Sequence, residues 1–172
     1  MDFPKSEIEA LWAPWRVEYF NIDRSRMDFL AEAAQATDDA AHLVVCRRKQ
    51  SFLILNKYPY AVGHLMAVPY RKVSELAELS DSEKLELLEL AEHAQRLLRE
   101  VVKAHGFNIG LNLGRAAGAG VIDHLHLHIV PRWEGDNNFM PVLAGVRVLS
   151  DSLAELHAKL CKAQDAVAAS QA

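Results

Sequence analysis

The chain has little of what would tie it to an extracellular, membrane or nucleic-acid setting. Only two of its 172 residues are cysteines, Cys46 and Cys161. They stand far apart with no CxxC spacing, which excludes a disulfide framework or a zinc knuckle and suits a reducing compartment. No apolar run approaches the roughly 18 residues needed to span a bilayer. Acidic residues interrupt the apolar ones in the opening MDFPKSEIEALWAPWR, so this stretch does not read as a signal peptide. Charge of one sign is also missing: 19 Lys and Arg oppose 23 Asp and Glu, for a formal charge of −4. Such a balance exerts no overall draw on nucleic acid. The expectation is a cytoplasmic protein with neither a membrane nor a nucleic acid as partner. A small anionic ligand stays compatible, since clustered His, Arg and backbone N–H groups can hold phosphate on an acidic protein. With no internal repeat or long linker, residues 1–172 read as a single domain with an N-terminal arm over 1–40 and a frayed tail over 163–172.

Within the arm, Trp12 and Trp15 flank the helix-breaking Pro14, and with Arg16 they either anchor the arm or line a site or subunit contact. Met27 to Ala36 predicts a short helix ended by Thr37-Asp38-Asp39. Three β-branched and aliphatic runs then predict strands: Leu43 to Arg47, Phe52 to Asn56 and Leu65 to Val68. The turn-rich connection from Asn56 to His64 leaves those two polar side chains at its ends. Ser80 and Glu83 form a capping box, followed by Leu87, Leu90, Ala91, Ala94, Leu97, Leu98 and Val101 at helical period, with Gly106 as the stop. Phe107 to Leu113 predicts another strand, and the small residues of Gly114 to Gly120 offer a loop whose backbone a phosphate could approach. Ser152 and Glu155 make a second capping box, with Leu153, Leu156 and Leu160 as the apolar line of a last helix.

The stretch that needs a chemical explanation is Asp123-His124-Leu125-His126-Leu127-His128-Ile129-Val130-Pro131-Arg132-Trp133. Alternation is the period of a strand, so His124, His126 and His128 share one face and Leu125, Leu127 and Ile129 the other, up to a stop at Pro131. Burial explains the aliphatic face. It does not explain three imidazoles in register, each of which needs a polar partner for a ring nitrogen. Two chemistries fit. The three rings could be zinc ligands of a metal-dependent hydrolase with an open position for water. Alternatively, a neutral imidazole could attack phosphorus while its neighbours orient it and protonate the leaving oxygen. The second uses more of the surrounding sequence, since Asn112 and the Gly118–Gly120 loop could hold phosphate oxygens.

His124-Leu125-His126-Leu127-His128-Ile129-Val130 matches the His-φ-His-φ-His-φ-φ signature and resembles the histidine triad (HIT) superfamily of nucleotide hydrolases and transferases. Asn56-Lys57-Tyr58-Pro59 with Gly63-His64-Leu65 is similar to the family's Asn-x-x-Pro…Gly-His loop before a strand. Leu-Trp-Ala-Pro-Trp-Arg near the start and Pro-Arg-Trp-Glu-Gly-Asp-Asn-Asn-Phe after the triad resemble a Fhit-like bacterial branch of diadenosine tetraphosphate phosphorylases and hydrolases. The resemblance spans Leu11 to Leu160. It implies an α+β fold, an antiparallel sheet with one long packed helix and a C-terminal helix, the sheet continued across a homodimer. It implies a substrate that is a small nucleotide such as diadenosine tetraphosphate, cleaved at the α-phosphate through a nucleotidyl-histidine, with water or inorganic phosphate as acceptor. By the same resemblance His126 is the nucleophile and His128 assists the leaving group. His124 orients the nucleophile, and His64 buttresses from behind. Asn56 contacts the ribose, Asn112 and the Gly118, Ala119 and Gly120 backbone hold phosphate, and Trp133 joins the binding residues. No metal or cofactor is required as a ligand, although the substrate can carry Mg2+. Where relatives place Gln or Ser in the loop before the triad, this chain has Ala119 and Gly120, so only backbone donors are available there.

Overall fold

The computed structural model describes residues 29–136 and 152–169. The expectations on Trp12, Trp15 and Arg16, and on the turn at Asn137-Asn138-Phe139, lie outside the described residues. The elements in chain order are α1 (Phe29–Gln35), β1 (Val44–Arg47), β2 (Ser51–Leu55), β3 (Leu65–Pro69), α2 (Asp81–Val102), β4 (Gly106–Leu111), β5 (Leu127–Arg132) and α3 (Leu153–Ala169). The sheet has the order β1-β2-β3-β5-β4, with every neighbouring pair antiparallel. This is the α+β architecture expected from the sequence.

The sheet separates two cores because strand side chains alternate. Leu53, Leu55, Leu65, Ala67, Leu127 and Ile129 face α2 and α3, whose Leu90, Leu97, Leu98, Leu156 and Leu160 close the larger core. Phe52, Ile54, Met66 and Val68 face the other way, onto Leu30 and Ala33 of α1 and onto Val121. In the sheet, His128 pairs with Met66 on one side and with Gly110 on the other, so it belongs to this second face.

Both capping boxes form as predicted. Ser80 accepts from the Glu83 N–H while Glu83 returns the bond, and Glu155 N–H donates to Ser152 Oγ at 3.2 Å. Three boundaries differ from expectation. The long helix ends at Lys103, which takes the left-handed conformation at φ 52°, and Gly106 instead opens β4. Pro131 does not stop its strand: β5 runs through Arg132 because at that level it is paired only with β4, Pro131 opposite Phe107, and a proline is tolerated on a one-sided strand. The tail beyond Lys162 does not fray where expected either. There α3 continues to Ala169, with Val167 buried and Gln164 Nε2 donating to the Val45 carbonyl at 2.5 Å.

Gly63 connects the turn to His64 at φ +77°, and a Cβ there would come within 2.7 Å of Leu98 Cδ2 in the α2 core. A side chain at this position therefore meets backbone strain and overpacking together. Gly63→Ala is expected to lower stability by about 2 kcal/mol or more, measured by chemical denaturation. A loss under about 0.5 kcal/mol would show that the chain does not make this close approach.

Candidate active site

The pocket on the second face is lined by His126, His128, Asn56, Asn112, Gly118 and Gly120, which brings together six of the residues singled out in the sequence. Phe29, Tyr58, Tyr60, Met66 and Val121 complete the walls. These apolar and aromatic residues were not among the expected site residues. Tyr58 and Tyr60 stood in the turn between Asn56 and His64, and two aromatics beside a proline were the only local signal. Phe29 reaches the pocket from α1, which no pattern in the sequence foretells.

The triad is not one regular strand. Its ladder begins at Leu127, and His124 lies in a bend before it. Leu125 N–H donates to the Val73 carbonyl at 2.7 Å, outside any strand pairing. Pro69 ends β3 without an N–H to offer, and its carbonyl is instead 2.9 Å from His124 Nε2. His124 is therefore fully buried and bonded behind the pocket, while His126 and His128, 7% and 8% exposed, line it. The His126 and His128 rings meet edge to face with centroids 4.7 Å apart.

The hydrogen bonds determine where the ring protons sit. Tyr60 N–H donates to His64 Nδ1 at 3.1 Å, so that nitrogen is an acceptor and the His64 proton is on Nε2. His64 Nε2 stands 2.9 Å from His128 Nδ1, which must then accept, leaving the His128 proton on Nε2. That ring lines the pocket, and Asn112 Nδ2 stands 3.4 Å from His128 Nε2. Because an amide NH2 cannot accept, the two pair in this tautomer only with the Asn112 amide turned to present its oxygen. His126 Nδ1 is 2.8 Å from the His124 carbonyl oxygen, which can only accept, so the Nδ1 proton donates and Nε2 carries the lone pair. Burial, more than any other influence, pushes the His126 imidazole below its ordinary pKa and keeps it neutral. Neighbouring rings thus present opposite chemistry: a bare nitrogen on His126 and an N–H on His128.

Asn56 supports this arrangement. Its Oδ1 accepts from Tyr58 N–H at 2.8 Å, which turns Nδ2 toward His64 Nδ1 at 3.2 Å. The Tyr60 ring stacks on His64 with centroids 4.8 Å apart and planes 22° from parallel. What His124 gives His126 is its backbone carbonyl, while its own ring bonds to Pro69.

Two expectations on binding residues are corrected. Trp133 does not reach the pocket: its Nε1 donates to the Val102 carbonyl at 3.0 Å and its ring packs on the α2 core, across the sheet. In the small-residue loop, Gly118 N–H donates to the Arg115 carbonyl at 3.0 Å and Ala119 N–H to that of Gly114 at 3.3 Å. A 3-10 turn at Arg115–Ala117 takes up those two amides, and Ala119 itself is buried. A zinc site on all three rings would require one nitrogen of each aimed at one point, whereas His126 and His128 line the pocket and the His124 ring is bonded behind it, its Nε2 on the Pro69 carbonyl. Among the described residues no group of three or more His, Cys, Asp or Glu has an arrangement that could hold a metal ion.

The proton placement is directly observable. In nitrogen-15 NMR spectra, His126 is expected as the Nδ1–H tautomer with a titration midpoint below about 6.5, and His128 as the Nε2–H tautomer. A His126 resonance in the Nε2–H form at neutral pH would contradict the bond to the His124 carbonyl.

Comparison with known proteins agrees with this geometry. The family model described as HIT domain matches residues 37–135. The chain is 41% identical over 158 residues, 87% of its length and 80% of the relative's, to a protein of Mycobacterium tuberculosis named AP-4-A phosphorylase. It is 34% identical over 93 residues, 54% of its length and 50% of the relative's, to the asymmetrical bis(5'-nucleosyl)-tetraphosphatase of Schizosaccharomyces pombe. A solved hypothetical histidine triad nucleotide-binding protein from Sulfolobus tokodaii superposes with a TM-score of 0.60 at 27% identity, covering 73% of this chain and 85% of that one. With the family's motif at the centre of the pocket and a match across more than half its length, the chain belongs to the HIT family.

Proposed function

We propose that this chain is an enzyme that cleaves dinucleoside polyphosphates, diadenosine tetraphosphate in particular, by nucleotidyl transfer through His126. The observation that carries the reading is that His126 and His128 line one pocket with their Nδ1 atoms engaged, one 2.8 Å from the His124 carbonyl and the other 2.9 Å from His64 Nε2. This arrangement assigns a lone pair to His126 Nε2 and an N–H to His128 Nε2. In the first step His126 Nε2 attacks the α-phosphorus. An N–P bond forms, the P–O bond to the departing nucleoside polyphosphate breaks, and the bridging oxygen takes the proton from His128 Nε2. In the second step the acceptor attacks phosphorus, the N–P bond breaks, and the acceptor's proton returns to His128. Asn112 and the Gly118–Gly120 turn border the phosphate, with fewer amides to give than a fully open loop. The apolar side of the pocket, with Phe29, Met66 and Val121, suits the face of a base, and Asn56 borders the ribose.

Inorganic phosphate is the acceptor we favour over water, because the phosphorylase resembles this chain over 87% of its length and the tetraphosphatase over 54%. No metal ligand takes part in this scheme, although Mg2+ can accompany the substrate phosphates. No described helix is long and apolar enough to cross a membrane, and both cysteines are free thiols, in keeping with a cytoplasmic enzyme.

Incubating the protein with diadenosine tetraphosphate is expected to yield ADP and ATP only when phosphate is present. AMP and ATP without phosphate would assign hydrolysis, and no cleavage under either condition would overturn the reading. His126→Ala is expected to reduce turnover by about a thousandfold or more with the fold intact by circular dichroism, while EDTA treatment of the enzyme before assay leaves the rate within about twofold.

The assembly we propose is a homodimer joined through β4. Among the described residues that strand lies at the sheet edge, paired only with β5, and Ile109 on it is an apolar side chain 43% exposed. Sedimentation velocity should find a dimer, converted to monomer by Ile109→Lys. A monomeric native protein would refute the arrangement.

A further inference from the structure

One residue of the pocket wall, Phe29, comes from α1, a helix of seven described residues. Two turns are marginal on their own, so packing and end-capping must hold such a helix in place. Leu30 and Ala33 supply the packing, both essentially inaccessible against the sheet. The capping comes from β1, in the form of a single side chain. Arg47 Nη2 donates to the Ala33 carbonyl at 2.8 Å and to the Ala36 carbonyl at 2.9 Å, and Nη1 reaches the Ala34 carbonyl at 3.4 Å. Its Nε donates to Asp39 Oδ1 at 2.8 Å, and the guanidinium carbon lies 5.8 Å from the centre of the Phe52 ring in the pocket-side core. These are the orphan carbonyls at the helix C-terminus, where the dipole also favours a cation. At the other end of the same two turns stands Phe29, in the wall beside His126 and His128. Arg47 itself does not line the pocket.

We propose that Arg47 is a positioning residue for substrate binding, which by gripping the last carbonyls of α1 sets where Phe29 stands in the pocket wall. The inference rests on the nucleotide reading of that pocket. Among the described residues, loss of the grip leaves α1 held by the packing of Leu30 and Ala33, which is not directional, so Phe29 is no longer held at one depth. Binding weakens, while His128 on β5, His126 just before it and His64 at the end of the 56–64 turn keep their geometry. Lysine cannot replace the guanidinium, because one ammonium cannot span three carbonyls and a carboxylate with the geometry of a planar fork.

The test is a two-residue cycle on the full-length enzyme, using Arg47→Ala, Phe29→Ala and the double variant, with Arg47→Lys carrying the same comparison should the alanine variant fold poorly. KM for diadenosine tetraphosphate and the dissociation constant of AMP are measured together with kcat. Arg47→Ala is expected to raise KM and the AMP constant about tenfold with kcat within about twofold, and Arg47→Lys to raise them less. The double variant should bind no worse than the weaker single one, because both remove the same wall. An unchanged KM in the Arg47 variants, penalties that multiply independently, or a fall in kcat at constant KM would overturn the proposal. Wild-type protein that neither binds AMP nor cleaves the dinucleotide would instead overturn the nucleotide reading, and this inference with it.

Discussion

One backbone N–H controls the chemistry of this pocket. The Tyr60 amide donates to His64 Nδ1 at 3.1 Å and so decides which nitrogen of that ring carries a proton. The choice propagates, since His64 Nε2 then donates across 2.9 Å to His128 Nδ1 and His128 turns its own N–H to the pocket. A second backbone group, the His124 carbonyl, sets His126 the opposite way. Two chemically identical side chains, edge to face, are thereby set in opposite tautomers, the difference that the proposed acid and nucleophile need. The partners of His64 and His126 are backbone groups, which do not titrate, so each fixes the tautomer of its ring for as long as that ring is neutral. Burial adds to this by disfavouring the cationic form of His126.

The sheet's two faces divide the labour. One face, closed by α2 and α3, is an apolar core of the ordinary kind. The other carries the imidazoles, and the short α1 shields it. The turn that supplies Asn56 and His64 is held against the α2 core by the close approach of Gly63 to Leu98, so the larger core also sets the position of the His64 ring. The stacked Tyr60 ring and the Asn56 amide then hold His64 in plane and in register.

What was legible in the sequence was local. Alternation of His with Leu and Ile separates the two faces because strand periodicity is a property of neighbouring residues. The two capping boxes were readable for the same reason, as each closes within one turn. Long-range pairing was not readable. Trp133 stood beside the triad in sequence, yet its indole N–H found the end of α2 across the sheet. The Gly114–Gly120 loop looked like open backbone until its 3-10 turn engaged two of the amides, a geometry its composition does not reveal. Lys103 ends the long helix in a left-handed conformation that glycine would adopt more cheaply, so Gly106 drew the expected stop three residues too far. Placing Phe29 in the pocket depended on where a seven-residue helix docks, which is decided by Leu30, Ala33 and Arg47 together.

The central claim is that His126 itself takes up the nucleotide. Rapid quench of the enzyme during turnover of diadenosine tetraphosphate, followed by proteolysis at alkaline pH and mass analysis of the peptide spanning residues 121–132, tests it most directly. The account predicts a peptide heavier by one adenylyl group, with the addition on His126 and removed by mild acid, as a phosphoramidate requires. An adenylyl group on His128 or His124, or turnover with no adduct at any histidine, would contradict it.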